Sequence, residues 1–586
     1  MYGQYFFGDK PIRQAWRGTR SRWLQFDEHK ETKKMSENST EPKIASAGAS
    51  RRELLQVGNA LLLPALMGGS QVFAAGPLKA GPEVYQSIGV DPVINCRGTF
   101  TIIGASIELP EVRAAMDAAS QHFVQLDELA DAVGHRLAEL TGAEWGMVSA
   151  GCAAGLKHVT AACVAGGNPE KLLRIPDLRG LDKTEVVSPR CSRSVYDHAV
   201  RNIGVKMITV DTAEEFERAL SPHTAMIYLS AGRATLDGPL SLVNVARMAK
   251  PLNIPILVDA AAEVLTIPNV HLANGATVVA YSGGKAICGP QCAGLLLGRK
   301  DLLMSAWQAS SPHHGPGRDN KVGREETVGM VAAVEAWVKR DHKAEWNRWL
   351  SYLDTISKRV SGIDGISTAV REPNGLSNRS PSLVISWDPA KLHITGEELA
   401  EVVARTKPRI ALGAGGGAGR GNAPVESSMT SIDITAWMMR PGDDRIVADR
   451  LFSLLSQKRS PRPAPAAPAG NLSGRWDLNI EFFSSKSQHT LTLEQENNLL
   501  QGSHKGDFSV RDVAGTIESD QVKLRSTESV PGDSITFTFV GTLSGENMAG
   551  KVYMGEYLNA NFTAKRHVYP ANGRPILVPG GPPLAN

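Results

Sequence analysis

Cysteine is scarce in this chain: six residues in 586, with no C-x-x-C pair. Neither a disulfide scaffold nor a clustered zinc site therefore organises it. No run of eighteen apolar residues occurs, so no spanning helix is expected. Net charge is nearly absent as well, with 63 Lys/Arg against 60 Asp/Glu. The small excess sits in residues 1–34, which hold eight Lys/Arg and four Asp/Glu. Nothing beyond that arm reads as a basic patch, which argues against nucleic acid as a partner. What is present is a 42% hydrophobic content over a length sufficient for several domains.

Residues 1–75 read as an address. Arg51-Arg52 precede the short apolar stretch Ala60–Met67, and Val72-Phe73-Ala74-Ala75 follows with small residues where a signal peptidase cuts. That order resembles a twin-arginine export signal, with cleavage after Ala74 and a periplasmic or exported product. From residue 82 to 340, helix-period and strand-like runs alternate. Pro110–Leu140 has helical spacing, as does Leu240–Lys250. Ala225–Leu229, Ile254–Val258, Thr277–Tyr281 and Ala293–Leu297 read as strands. That rhythm predicts an α/β domain with a mostly parallel sheet. A long helix over Asp341–Val360 opens a small α+β lobe, 341–456. Residues 457–470 form a Pro/Ala-rich linker that need not pack. Alternating segments over 471–567, punctuated by Gly and Asn, predict a small antiparallel barrel or sandwich. It carries no catalytic constellation, and it reads as an accessory module.

Chemistry concentrates in Ile254–Lys300. One apolar strand ends in Asp259, and a second ends in Ser282-Gly283-Gly284-Lys285. Ligands of open α/β sheets sit outside the carboxyl ends of strands, so Asp259 and Lys285 should face one crevice. An amine and a carboxylate placed there are what pyridoxal phosphate requires: a group to bond its aldehyde and a partner for its ring nitrogen. The small-residue turn Ser149–Gly155 precedes a helical run, Leu156–Val164, and such a helix N-terminus suits a phosphate.

These segments, with Val93-Ile94-Asn95, Gly98-Thr99, Leu126–Leu129, Leu137–Glu144, Val258–Glu263, Tyr281–Pro290, Gly317-Arg318 and Lys321–Glu326, carry a resemblance. Over residues 82–457 the chain resembles the selenocysteine-synthase-like branch of fold-type I pyridoxal-phosphate enzymes, in particular the D-glucosaminate-6-phosphate ammonia-lyase group. The resemblance implies a fold-type I large domain with a small lobe. It implies that Lys285 bonds the cofactor aldehyde and later carries the α-proton, and that Asp259 pairs with the ring nitrogen. Gly151, Cys152 and Ala153 would offer backbone N–H groups to the phosphate, and Ser282 a hydroxyl. Arg318, Lys321 and Arg409 are candidates for gripping an anionic substrate. Arg324 is another, though it stands where the family tends toward lysine, a swap that matters at a bidentate site. The segment Arg190–His198 could supply a group stacked on the ring, through Tyr196 or His198. No metal is expected. Cys96, Cys152 and Cys288 lie in or beside motif blocks, where small buried thiols are the plainer reading.

The cofactor chemistry admits elimination, racemisation and aldol cleavage alike, with the protein selecting the bond. The resemblance favours a lyase acting by α,β-elimination on an amino acid or amino sugar acid. A racemase or aldolase on the same scaffold is the alternative within the class, and a cofactor-free binding protein the alternative outside it. Fold-type I sites are usually completed by a neighbouring subunit, which implies a homodimer or larger homo-oligomer.

Overall fold

A computed structural model describes residues 76–415 and 429–569. The signal-like region before residue 76 lies outside them. Seven strands form the central sheet: β1 (Trp145–Ser149), β2 (Glu185–Pro189), β3 (Lys206–Val210), β4 (Thr224–Ser230), β5 (Ile256–Asp259), β6 (Val278–Ser282) and β7 (Gly294–Gly298), in the order β1-β7-β6-β5-β4-β2-β3. β7 runs antiparallel to both neighbours, whereas β6, β5, β4, β2 and β3 are mutually parallel. The mostly parallel sheet is therefore as expected. Residues such as Ile227, Val258, Val279 and Leu295–Leu297 are buried within it, each side chain stabilising the fold by about 1.5–3 kcal/mol relative to exposure. Parallel strands covered on both faces need such unbroken apolar runs.

The Cys152–Ala165 helix is buried on nearly every side and packs between the sheet and the Lys300–Gln308 helix. Its alanines and glycine permit that close packing. A Cβ at Gly155 would stand 2.8 Å from the Leu296 side chain. Where the sequence reads as one helical pattern over Pro110–Leu140, there are two helices, Pro110–Ser120 and Leu126–Thr141. Gln125 caps the second, its side chain accepting from the Asp127 N–H.

The small lobe holds the His342–Val360 helix, capped by Asp341, and a four-stranded sheet built from Ile366–Arg371, Ser382–Trp387, Gly413–Gly415 and Thr430–Thr435. Ile94–Asn95 pairs in parallel with Ile410–Ala411, so the opening segment of the 82–340 region is stitched into this lobe.

Beyond it, eight antiparallel strands from Gly474 to Arg566 close into a barrel. Its interior is filled by Trp476, Leu491, Leu524, Phe539, Phe562 and their neighbours. Inside one end, His504 sits between the Ser526 hydroxyl and His489, at 2.6 and 2.8 Å. The linker ahead of the barrel is exposed along most of its length, as expected, but is tethered at three points. The Asn498 amide donates to the Ala466 carbonyl, the Ala469 N–H donates to that of Ser519, and Arg462 pairs with Glu398. Proline removes donors from such a segment but leaves its carbonyls available.

Among the described residues no helix is long and apolar enough to cross a membrane, and no cluster of three metal-ligating side chains occurs. All six cysteines are free.

Candidate active site

The carboxyl ends of β2, β4, β5 and β6 lie along one sheet edge, and the residues that leave them build the site. Asp259 ends β5. Its Oδ2 accepts from the Tyr228 hydroxyl at 3.1 Å, and its Oδ1 accepts from the Ala261 N–H at 3.1 Å and the Cys152 thiol at 3.5 Å. Burial pushes the Asp259 carboxyl above its ordinary range, and those donors together with the nearby Lys285 charge only partly offset it. The same burial, reinforced by the Asp259 charge, pushes the Tyr228 phenol and the Cys152 thiol well up, so both stay protonated donors.

Lys285 is half-buried, in the turn three residues beyond the end of β6, where its carbonyl accepts from the Cys288 N–H. The glycines ahead of it are sterically required. A Cβ at Gly283 would stand 2.7 Å from the Ala293 carbonyl oxygen, and one at Gly284 would stand 2.7 Å from the Gln291 Cα.

The helix that begins at Cys152 points its N-terminus at this edge. Gly155 donates back to the Gly151 carbonyl, so the N–H groups of Cys152, Ala153 and Ala154 are helix-end donors without intrahelical partners. Gly151 itself plays a different part from the one expected. Its N–H turns back to the Ser149 carbonyl at 2.9 Å, and its contribution is a φ of 82° at the N-cap. β7 closes against this turn, and a Cβ at Gly294 would stand 2.4 Å from the Gly151 carbonyl carbon. Ser282 lies across from Gly294, at the end of β6. The result is a cradle of backbone donors beside a buried carboxylate and a strand-end amine.

Comparison with known proteins agrees with that geometry. The Aminotransferase class-V family matches residues 197–322. The D-glucosaminate-6-phosphate ammonia lyase of Salmonella typhimurium (strain 14028s / SGSC 2262) is 30% identical over 301 residues, which cover 50% of this chain and 79% of that protein. The chain belongs to this ammonia-lyase family of fold-type I pyridoxal-phosphate enzymes. A 5'-C-glycyluridine monooxygenase-decarboxylase from Streptomyces sp is also similar, 28% identical over 341 residues that cover 56% of this chain and 83% of that protein. The solved structure of D-glucosaminate-6-phosphate ammonia-lyase shares the fold, with a TM-score of 0.55 and 24% identity over 64% of this chain and 98% of that one. The cofactor of this ammonia-lyase relative is thus pyridoxal 5'-phosphate, and the protein is an enzyme of the lyase type.

The site residues fit that cofactor. A desolvated carboxylate is relieved by a cationic ring nitrogen, and a helix N-terminus with bare N–H groups suits a phosphate. The remaining candidates of this ammonia-lyase family member are placed less directly. Arg409 is committed to structure, donating to the carbonyls of Ala404 and Asp91 at 2.8 Å each. Arg324 likewise donates to the carbonyls of Ala119 and Ser120, and it pairs with Glu325. Arg318 is half-buried, with one guanidinium nitrogen 3.2 Å from the Ser311 hydroxyl, and Lys321 is exposed. Their loop is held along the central helix: Lys157 pairs with Asp319 at 2.8 Å, and Gly317 packs on His158. Tyr196 and His198 are both substantially exposed, His198 facing Asp533 of the barrel at 4.0 Å. Neither is shown over the Asp259 site.

Sequence reasoning missed Tyr228 and the Cys152 thiol as partners of Asp259. One signal was readable: a tyrosine inside an otherwise aliphatic strand, adjacent to the strand that carries the aspartate.

Proposed function

We propose that this enzyme acts on an amino acid or amino sugar acid by α,β-elimination: the α-proton and a β-hydroxyl leave as water, and hydrolysis of the resulting enamine takes that water back up and releases ammonia and a keto acid. The observation that carries the reading is the buried Asp259 carboxylate, triply hydrogen-bonded, at the same sheet edge as Lys285. Bound there, pyridoxal phosphate supplies an aldehyde for the substrate amine and a ring that takes up electrons from the α-carbon. Lys285 Nζ is the group at hand to remove the α-proton and to return a proton to the departing side. Asp259, held in place by donors from Tyr228, Ala261 and Cys152, would be drawn to its charged form by a cationic partner. The N–H groups of Cys152 and Ala153 would hold the phosphate, and Ser282 would offer its hydroxyl to it. Arg318 and Lys321 are the cations offered to the substrate's acid group.

The export-like order of residues 50–75 favours an unphosphorylated substrate, since phosphorylated sugar acids are intracellular. Retention of the protein in the cytoplasm with Arg51-Arg52 intact would remove that argument. A homo-oligomer is part of the same reading. Phe100, Ile102 and Ile107 are apolar and exposed in a segment that meets the Gly284–Cys288 turn, to which Ser106 and Leu109 are hydrogen-bonded, and Phe123 and Val124 are likewise exposed beyond the Pro110–Ser120 helix. A fully active monomer in sedimentation would contradict it.

The deciding experiment is product analysis with purified holoenzyme on a panel of amino and amino sugar acids. Keto acid and ammonia in equal amounts are expected. The opposite enantiomer without keto acid would establish a racemase, and an aldehyde with a shortened amino acid an aldolase.

A further inference from the structure

The barrel does not stand apart from the catalytic edge. Its Gln521–Val530 and Asp533–Ser544 strands pair through Val530 and Asp533, leaving Pro531-Gly532 as a two-residue tip. Proline fixes one φ and Gly532 adopts 84°, so the tip is a stiff one. It ends against the loop that leaves β2. A Cβ at Gly532 would stand 2.7 Å from the Ser194 nitrogen, 3.0 Å from the Arg193 carbonyl carbon and 3.1 Å from the Ser194 oxygen. Asp533, largely buried, faces His198 at 4.0 Å.

The loop under the tip is anchored from below. Arg193 pairs with the buried Asp197 and donates to Thr209, and Arg201 reaches the same Asp197 at 3.0 Å. The Arg190–Ser192 turn that leads into Ser194 packs on the Thr224–Ser230 strand that carries Tyr228, and Ser194 lies near enough to that phenol to lower it against the upward push of burial. Tyr228 in turn donates to Asp259. Neighbouring groups thus run from the barrel tip through the Arg190–Ser194 loop to the strand of Tyr228, and from Tyr228 to the carboxylate of the site.

We infer that the barrel is a positioning element of the active site, its Pro531-Gly532 tip buttressing the Arg193-Ser194 backbone and so holding Tyr228 on Asp259. The inference rests on the cofactor site proposed above. Gly532, Asp533 and Ser194 are positioning residues and touch neither cofactor nor substrate. The barrel's part in the enzyme is therefore mechanical and electrostatic, and it is exerted within one chain.

The test uses three full-length variants. Gly532→Ala drives a methyl group into the Ser194 backbone, and Asp533→Ala removes only the carboxylate that faces His198. Gly545→Ala is the control, at another barrel hairpin with a φ of 58° and nothing within 4 Å. It too places a side chain at positive φ, without the contact. Hydrogen exchange of the 190–198 segment is measured in the cofactor-free chain, and the visible band and pyridoxal phosphate affinity in the loaded one. In Gly532→Ala, exchange rises and affinity falls on the order of tenfold, with a shifted band. Asp533→Ala moves the same readouts less, and Gly545→Ala leaves them at wild-type values. Unchanged exchange and an unchanged band in both tip variants would overturn the inference, as would equal effects in the control. If Gly532→Ala does not fold, Asp533→Ala against the control decides. A wild type that forms no band with pyridoxal phosphate would count against the cofactor site, and the exchange comparison would still decide the docking.

Discussion

Replacing Lys285 with alanine is expected to lower turnover by a factor on the order of 10³ or more, because the variant loses both the amine that bonds the cofactor and the group that moves the α-proton. The visible band of the loaded enzyme should vanish with it. The fold should survive: Lys285 is half-buried in a turn whose shape is set by Gly283, Gly284 and the Cys288 N–H. Stability should therefore change by about 1 kcal/mol or less. Thermal melting beside the activity assay separates the two effects. A variant that keeps a tenth of wild-type turnover would remove Lys285 from the reaction.

Asp259→Asn is expected to cost on the order of 10²-fold or more in turnover, through a different route. The amide fills the same space but cannot stabilise a cation on the ring nitrogen. Its effect on stability should have the opposite sign in the cofactor-free protein. Burial raises the folded-state pKa of Asp259 above the ordinary carboxyl value of 3.8. The folded chain thus keeps a proton that the unfolded chain releases, so the favourable contribution is complete below that ordinary value and is lost as pH rises toward the raised one. Asparagine has no such loss. Cofactor-free Asp259→Asn should therefore gain melting temperature on wild type as pH rises from 4 to 7. Bound cofactor should cancel that gain by supplying a positive partner to the wild-type carboxylate. A melting-temperature difference between cofactor-free variant and wild type that stays constant from pH 4 to 7 would contradict this electrostatic account.

Both residues were legible in the sequence because strand ends announce themselves: an apolar run stops at Asp259, and another stops at the small residues before Lys285. The phosphate turn was legible for a similar reason, as a cluster of small residues ahead of a helical pattern. What local pattern could not show was partnership over long separations. Ile94 meets Ile410 across more than three hundred residues, and Ser194 meets Gly532 across a similar distance. The break between the Pro110–Ser120 and Leu126–Thr141 helices was hidden by Phe123 and Val124. These continue the apolar spacing although Phe123 is 96% exposed. Arg409 illustrates the converse limit. Its position suggested a carboxylate grip, yet the carbonyls of Asp91 and Ala404 take its guanidinium, and nothing in the neighbouring sequence signals them. The linker is exposed as its composition suggests, and only the Asn498 and Ser519 contacts that tether it could not be read there.

The account stands on the bond between one lysine and the cofactor. Borohydride reduction of the loaded wild-type enzyme, followed by peptide mapping, tests it most directly. The account predicts that a yellow band is bleached and that the pyridoxyl group is recovered on the peptide containing Lys285, in stoichiometric amount. Recovery on a different lysine, or a protein that stays colourless with added pyridoxal phosphate, would contradict it.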